Sequence, residues 1–278
     1  LDPRGYIAGV IKVDPALLIF LVCTLLGAFV GLFAGLLGIG GGLIIVPSLL
    51  YLLTDYIHLP LKIAMPMAIA TSLSTIVLTA ISSSRAHYKL GNLRQFYLLW
   101  TGLGISVGAI IGPQFATVIS AQSLKTLFAI LVLVIAAQMV FLGNKNAKRD
   151  VTKQLLLLIG VITGCISSVM GIGGGAIMVP ALLWCRVDVR AAIGCAAFSG
   201  LVIALFGSAS FIVAGWNNEH LPQWSVGFIY LPATLGIVLT SVFTANIGAK
   251  LSRSLDTKLL KKIFAGFLVI VSLRMLLG

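Results

Sequence analysis

Two stretches decide how this chain is read. Gly31-Leu-Phe-Ala-Gly-Leu-Leu-Gly-Ile-Gly-Gly-Gly-Leu-Ile-Ile-Val-Pro-Ser-Leu-Leu-Tyr51 returns as Gly164-Cys-Ile-Ser-Ser-Val-Met-Gly-Ile-Gly-Gly-Gly-Ala-Ile-Met-Val-Pro-Ala-Leu-Leu-Trp184. The offset is a constant 133 residues, and the shared core reads G-I-G-G-G-x-I-x-V-P-x-L-L. A match of that length does not arise from composition, so the chain is an internal duplication. Two halves carrying matched, interrupted apolar segments point to the architecture of secondary transporters.

Adjacent glycines break a helix and free backbone N–H and C=O groups. In hydrocarbon such groups survive only when buried in protein or lining a polar cavity. A helix restarting after the break, at Leu43 or Ala176, directs its free amides and positive dipole end at that place, where an anion is favoured. The rival reading is close helix packing through small residues. Four glycines in five positions, twice and in register, exceed what packing needs. The cluster is not a dinucleotide fingerprint: the position that would complete G-x-G-x-x-G from Gly38 is Leu43, and no strand precedes it.

The rest of the chain agrees. Of 278 residues, 59% are hydrophobic and 9% charged, whereas a soluble domain carries about 25% charged residues. Apolar blocks of about 18–25 residues alternate with short charged loops, as in spanning helices, and strand-period alternation, the mark of an outer-membrane barrel, is absent. The fold class expected is therefore all-α: a polytopic membrane protein of about eight to ten segments. The four cysteines (Cys23, Cys165, Cys185, Cys195) show no CxxC spacing and read as small packing residues.

The repeat divides the chain into a first membrane repeat (1–143), a cytoplasmic linker (144–153) and a second membrane repeat (154–278). Beyond the broken runs, helices are expected near 63–83, 97–117 and 124–142, then near 190–214, 226–248 and 259–277. The net charge of +12 could suggest nucleic acid. However, 14 of the 19 basic residues fall in 84–95, 144–153, 185–190 and 249–262, so membrane orientation explains them better. Placing those loops in the cytoplasm puts both termini outside and inverts the second half relative to the first. At 1.5 Å per residue the second broken run supplies about 48 Å, short of two crossings. Two incomplete helices meeting near mid-membrane are expected there.

The helix after the first break carries Thr71, Ser72, Ser74, Thr75 and Thr79. In the second half the stripe thins to Ser199, Ser208 and Ser210. Such hydroxyls can donate to an anion or back-bond to their own helix. All seven acidic residues lie in loops or at helix ends, which disfavours a cation carrier with an embedded carboxylate. No HExxH, paired-carboxylate, nucleophile-elbow or Walker A pattern occurs. The expectation is no enzyme, no catalytic residue, no metal and no cofactor.

The duplicated glycine motif, the Ala70-Thr71-Ser72-Leu73 stretch and the His87-Tyr88-Lys89-Leu90-Gly91-Asn92 element together resemble the sulfite exporter TauE/SafE family. The resemblance covers nearly the whole chain. It implies a multi-pass permease of the prokaryotic inner membrane for a small sulfur-containing anion such as sulfite, thiosulfate or a sulfonate. Carried onto this sequence, the substrate site would use Gly38, Gly40, Gly41, Gly42, Thr71 and Ser72 in one half. The other half would offer Gly171, Gly173, Gly174, Gly175 and Ser199. The second copy departs from the pattern: Ala197-Phe198-Ser199 stands where a Thr-Ser pair is expected, and Phe211 replaces the counterpart of His87. The expected partners are a small-molecule anion and membrane lipid, with no nucleic acid; a homo-oligomer is left open. The alternatives are an anion channel and a non-transporting membrane assembly factor.

Overall fold

The computed structural model describes residues 15–37, 41–89, 91–141, 151–185, 187–251 and 257–277. Gly38 and Gly40, and most of the linker with Lys145, Lys148 and Arg149, lie outside the described residues, as does Arg186. The described chain is almost wholly helical. The first five helices are α1 (Pro15–Leu37), α2 (Gly42–Asp55), α3 (Leu61–Lys89), α4 (Gln95–Val118) and α5 (Ala121–Phe141). The second five are α6 (Lys153–Met170), α7 (Gly175–Trp184), α8 (Val189–Gly215), α9 (Leu231–Leu251) and α10 (Thr257–Leu277). Six described helices are long and apolar enough to cross a membrane, and shorter apolar helices lie at Gly42–Asp55, Gly175–Trp184 and Leu231–Ala245.

The packing is arranged so that each half grips the other. α1 lies along α9 and α6 along α4, while α3 crosses α8 at the centre. Small residues at four-residue spacing make the two long seams, which lets backbones approach closely. A Cβ on Gly104 would strike the Leu157 carbonyl, and one on Gly108 the Val161 carbonyl. Across the same seam, Gly160 faces the Thr101 carbonyl and Gly164 the Ile105 carbonyl. In the other seam Gly27 faces Ile237 and Thr240, Gly31 faces Ser241 and Thr244, and the Thr240 hydroxyl donates to the Thr24 carbonyl at 2.6 Å.

These registers fix the helix directions. Contacts rise together along α4 and α6, and likewise along α1 and α9, so both pairs run parallel. Thr71 pairs with Tyr230 and Ser74 with Thr234, making α3 parallel to α9. Thr101 meets Cys195 and Gln114 meets Ser210, making α4 parallel to α8. Leu73 touches Gly207 whereas Ser84 bonds to Ala197, so α3 and α8 are antiparallel. Helices α1 and α3 thus point one way, and their counterparts α6 and α8 the other. The halves are inverted repeats. A corollary is that the starts of α4, α6 and α8 and the ends of α3 and α9 share one end of the molecule. Arg85, Lys89, Arg94, Lys153 and Arg190 gather there.

Two details differ from the expectations. The breaks are off-centre: α6 keeps 18 residues, about 27 Å, while α7 has only 10, about 15 Å. One nearly full helix therefore meets one short one, because a left-handed Gly171 ends α6 only at Met170. The helix expected from 226 starts at Leu231. Ahead of it Ser225–Val226 pairs with Ile229–Tyr230 as a tight antiparallel hairpin. The apolar run Val226–Tyr230 is rich in β-branched and aromatic residues and contains Gly227 at φ +54°, which suits a turn rather than a first helical turn.

Candidate functional site

The first glycine cluster, at Gly42, meets the second at Gly171 and Ile172. Gly171 caps α6 in the left-handed region at φ +66° and ψ 30°. A side chain there would be strained, and its Cβ would also press on Val46 of α2 at 2.8 Å and the Ile69 carbonyl of α3 at 3.0 Å. Ile172 N–H closes the cap by donating to the Ser167 carbonyl at 3.0 Å. Gly42, the first residue of α2, lies against Gly171 and Ile172 so closely that a Cβ would strike the Gly171 carbonyl. That carbonyl in turn accepts a hydrogen bond from Ser72 Oγ at 2.8 Å. Gly42, Gly171 and Ser72 of α3 form one buried contact.

Beyond Gly171 the chain turns through Gly173 and Gly174 into α7. Gly174 is its N-cap and offers no side-chain oxygen. The first amides of an α-helix have no intrahelical acceptor, so those of Gly175, Ala176 and Ile177 receive no capping side chain. The same holds at α2, where Gly41 is the N-cap without a side-chain cap. Both helix starts thus carry positive partial charge and open donors, and Gly42 at the start of α2 packs on the Gly171–Ile172 turn that leads into α7.

The side chains around the α7 start come from α8. Ser199 is fully buried; its Cβ lies 3.0 Å from where a Cβ on Gly174 would be. Its hydroxyl sits near the Cys195 thiol one turn earlier without completing a hydrogen bond to it or to any other described residue. Ser167, in the last turn of α6, is likewise fully buried with an unpartnered hydroxyl. Burying a hydroxyl unpaired costs about 1–3 kcal/mol on protein mutational scales, and Ser208, Ser225, Ser241 and Ser272 are unpartnered among the described residues as well; Ser199 is the one that lies against the α7 start.

Close packing explains some of the glycines and not others. Gly41 abuts the Val30 side chain, and Gly42 and Gly171 abut backbone. A Cβ on Gly173, by contrast, would find only Ile76 Cγ2 at 3.9 Å. One on Gly200, in α8, would find only the Gly174 nitrogen at 3.7 Å and Gly173 Cα at 4.0 Å. A little room therefore remains between Gly173, Gly200 and Ile76, beside the open amides.

Comparison with known proteins bears on what such a site is for. The family model described as sulfite exporter TauE/SafE matches residues 23–275. This chain belongs to the TauE/SafE family. A probable membrane transporter protein of Haemophilus influenzae is 40% identical over 92% of this chain and 98% of its own length. A probable membrane transporter protein of Methanocaldococcus jannaschii is 27% identical over 96% of this chain and 100% of its own length, and one of Bacillus subtilis is 24% identical over 92% and 97%. No solved structure matches.

The residues that carry the TauE/SafE resemblance divide by role. Ser72, Gly42 and Gly171 meet in one contact, Ser199 lies against Gly174 at the α7 start with Gly173 and Gly175 on either side of it in sequence, and Gly41 caps α2. Thr71 is buried next to Ser72, but its hydroxyl accepts the Tyr230 amide at 3.0 Å and so ties α3 to the start of α9. Ser74, Thr75 and Thr79 donate to carbonyls three residues back, at 2.7, 2.7 and 3.0 Å. The His87–Asn92 element is a helix stop: Asn92 N–H donates to the His87 carbonyl at 3.1 Å, Gly91 has φ +69°, and Asn92 packs on Gly194 of α8. Sequence reasoning missed Ser167 and Gly200. Ser167 had a readable signal, because the duplication places Ala34 at the corresponding position and a hydroxyl just before the break.

Proposed function

We propose that this multi-pass TauE/SafE protein carries a small sulfur oxyanion (sulfite, thiosulfate or a simple sulfonate) across the inner membrane by alternating access. The observation that carries the reading is the uncapped start of α7 lying beside the fully buried Ser199, whose hydroxyl is unpartnered among the described residues. Amides of the α7 start would neutralise the anion, and the Ser199 and Ser167 hydroxyls would orient it. Gly38 and Gly40 belong to the same glycine motif and are proposed with it.

Ser72 would act as the latch of the closed form. Its bond to the Gly171 carbonyl holds the two breaks together, and rocking one half against the other would exchange that bond for access to the site. With the basic end facing the cytoplasm, an inside-negative potential favours anion export by about 2.3 kcal/mol per charge per 100 mV. Export then needs no coupling ion.

The test is initial-rate flux of labelled sulfite in proteoliposomes under an imposed potential, with thiosulfate, sulfate and small sulfonates as competitors. Saturable flux, reduced by one competitor, is the expected result. Flux no higher than in empty liposomes, from folded protein, would remove sulfite as the substrate. Flux that never saturates would replace the carrier with a channel.

A further inference from the structure

A groove of about 540 Å³ opens on the outer surface at the basic end of the α4–α6 pair. It is lined by Trp100 of α4 and by Lys153, Gln154, Leu157, Leu158 and Val161 of α6. Its floor is apolar, and Leu157 and Leu158 are 39% and 55% exposed. Its mouth is cationic. The Lys153 ammonium stands 5.3 Å from the centre of the Trp100 ring and makes no ion pair among the described residues. Lys153 is also the first residue of α6, the positive end of the helix dipole, where a fixed cation is disfavoured and an added anion is welcome. Thr152 caps one amide, accepting from Leu155 N–H at 3.2 Å, and leaves those of Lys153 and Gln154 uncapped.

We propose that this groove is a binding site for one anionic phospholipid. An acyl chain would lie along Leu157, Leu158 and Val161, and the headgroup phosphate would sit at Lys153 and the start of α6. Two observations select that occupant. The apolar floor runs down a membrane-crossing helix pair, so hydrocarbon is what reaches it. The cation at its top is steadied over an aromatic ring, and basic residues between helices at the cytoplasmic surface recruit acidic headgroups. The groove flanks the Gly104–Gly160 seam, so a bound lipid would brace the pair that joins the two halves. The inference does not depend on what the protein carries.

Trp100 is the reporter. The full chain with Trp184, Trp216 and Trp224 changed to Phe is reconstituted in phosphatidylcholine vesicles containing brominated phosphatidylglycerol or brominated phosphatidylcholine. Brominated phosphatidylglycerol should quench Trp100 at about fivefold lower mole fraction than brominated phosphatidylcholine. That preference should vanish in Lys153→Gln and persist in Lys153→Arg. Equal quenching by both lipids, or a preference unchanged in Lys153→Gln, overturns the proposal. Relief of the quenching by soluble glycerol phosphate also overturns it, in favour of a free-anion site. Native mass spectrometry of the chain with its tryptophans intact gives an independent reading. Phosphatidylglycerol should remain bound to the unaltered chain, and its loss on detergent exchange as readily as phosphatidylcholine would count against the lipid.

Discussion

Ser199→Ala separates a binding role from a structural one, because the two predict opposite signs for stability. The hydroxyl is fully buried and unpartnered. Removing it from the closed form recovers a desolvation cost of about 1–3 kcal/mol on soluble-protein scales, and less where the unfolded reference is also in the membrane. The gap left is one oxygen atom, too small to offset that gain. Ser199→Ala is therefore expected to be as stable as the parent or more so. If the hydroxyl donates to a bound anion, the lost charge-assisted bond is worth about 1.5–3 kcal/mol. That corresponds to a ten- to hundredfold weaker apparent affinity, at about 1.4 kcal/mol per decade. The four free cysteines are buried or half-buried, so thermal unfolding can be followed by thiol-reactive fluorescence alongside initial-rate flux. A variant that is less stable yet transports normally would refute the reasoning and make Ser199 a packing residue.

Three further expectations follow from the same geometry. Gly173→Ala adds a methyl that meets only Ile76 Cγ2 at 3.9 Å, so unfolding should be unchanged while sulfite flux falls at least about tenfold, since close approach to backbone amides is lost; normal flux would show that Gly173 does not face substrate. Ser72→Ala strips the Gly171 carbonyl of its 2.8 Å donor, and should lower stability by about 1–2 kcal/mol in the same thiol assay; an unchanged midpoint would argue against the latch. Gly108→Ala drives a Cβ into the Val161 carbonyl and to 2.7 Å from Cys165 N, so the α4–α6 seam must part, at a cost of about 3 kcal/mol. Poor yield of folded protein is the expected result, and a normal yield with normal unfolding would contradict the tight seam.

The broken helices were legible because glycine clusters are a local signal, and the duplication amplified it. Inversion was legible as well, from the placement of Arg85, Lys89, Arg94, Lys153 and Arg190 in alternate loops. The helix seams were not. Gly104, Gly108 and Gly112 sit in an apolar run whose lipid and protein faces are equally nonpolar, so periodicity carries no contrast there. Which hydroxyls are free was also hidden. Ser72 and Ser199 occupy similar places in the two halves, yet one is bonded to the Gly171 carbonyl and the other is not, and only tertiary geometry distinguishes them. The same geometry limits what substitution at Gly41 can report: its neighbour is the branched Val30 side chain, so any loss of flux there mixes packing with function.

The central claim is that a small sulfur oxyanion binds where the α7 start meets α8. Equilibrium binding of radiolabelled sulfite to the purified protein, compared with Gly173→Ala and Ser199→Ala, tests it most directly. Saturable binding by the parent protein, weakened at least about tenfold in each variant without loss of thermal stability, is the predicted result. Equal binding by all three proteins would contradict the site, and saturable binding by none of them would contradict the substrate.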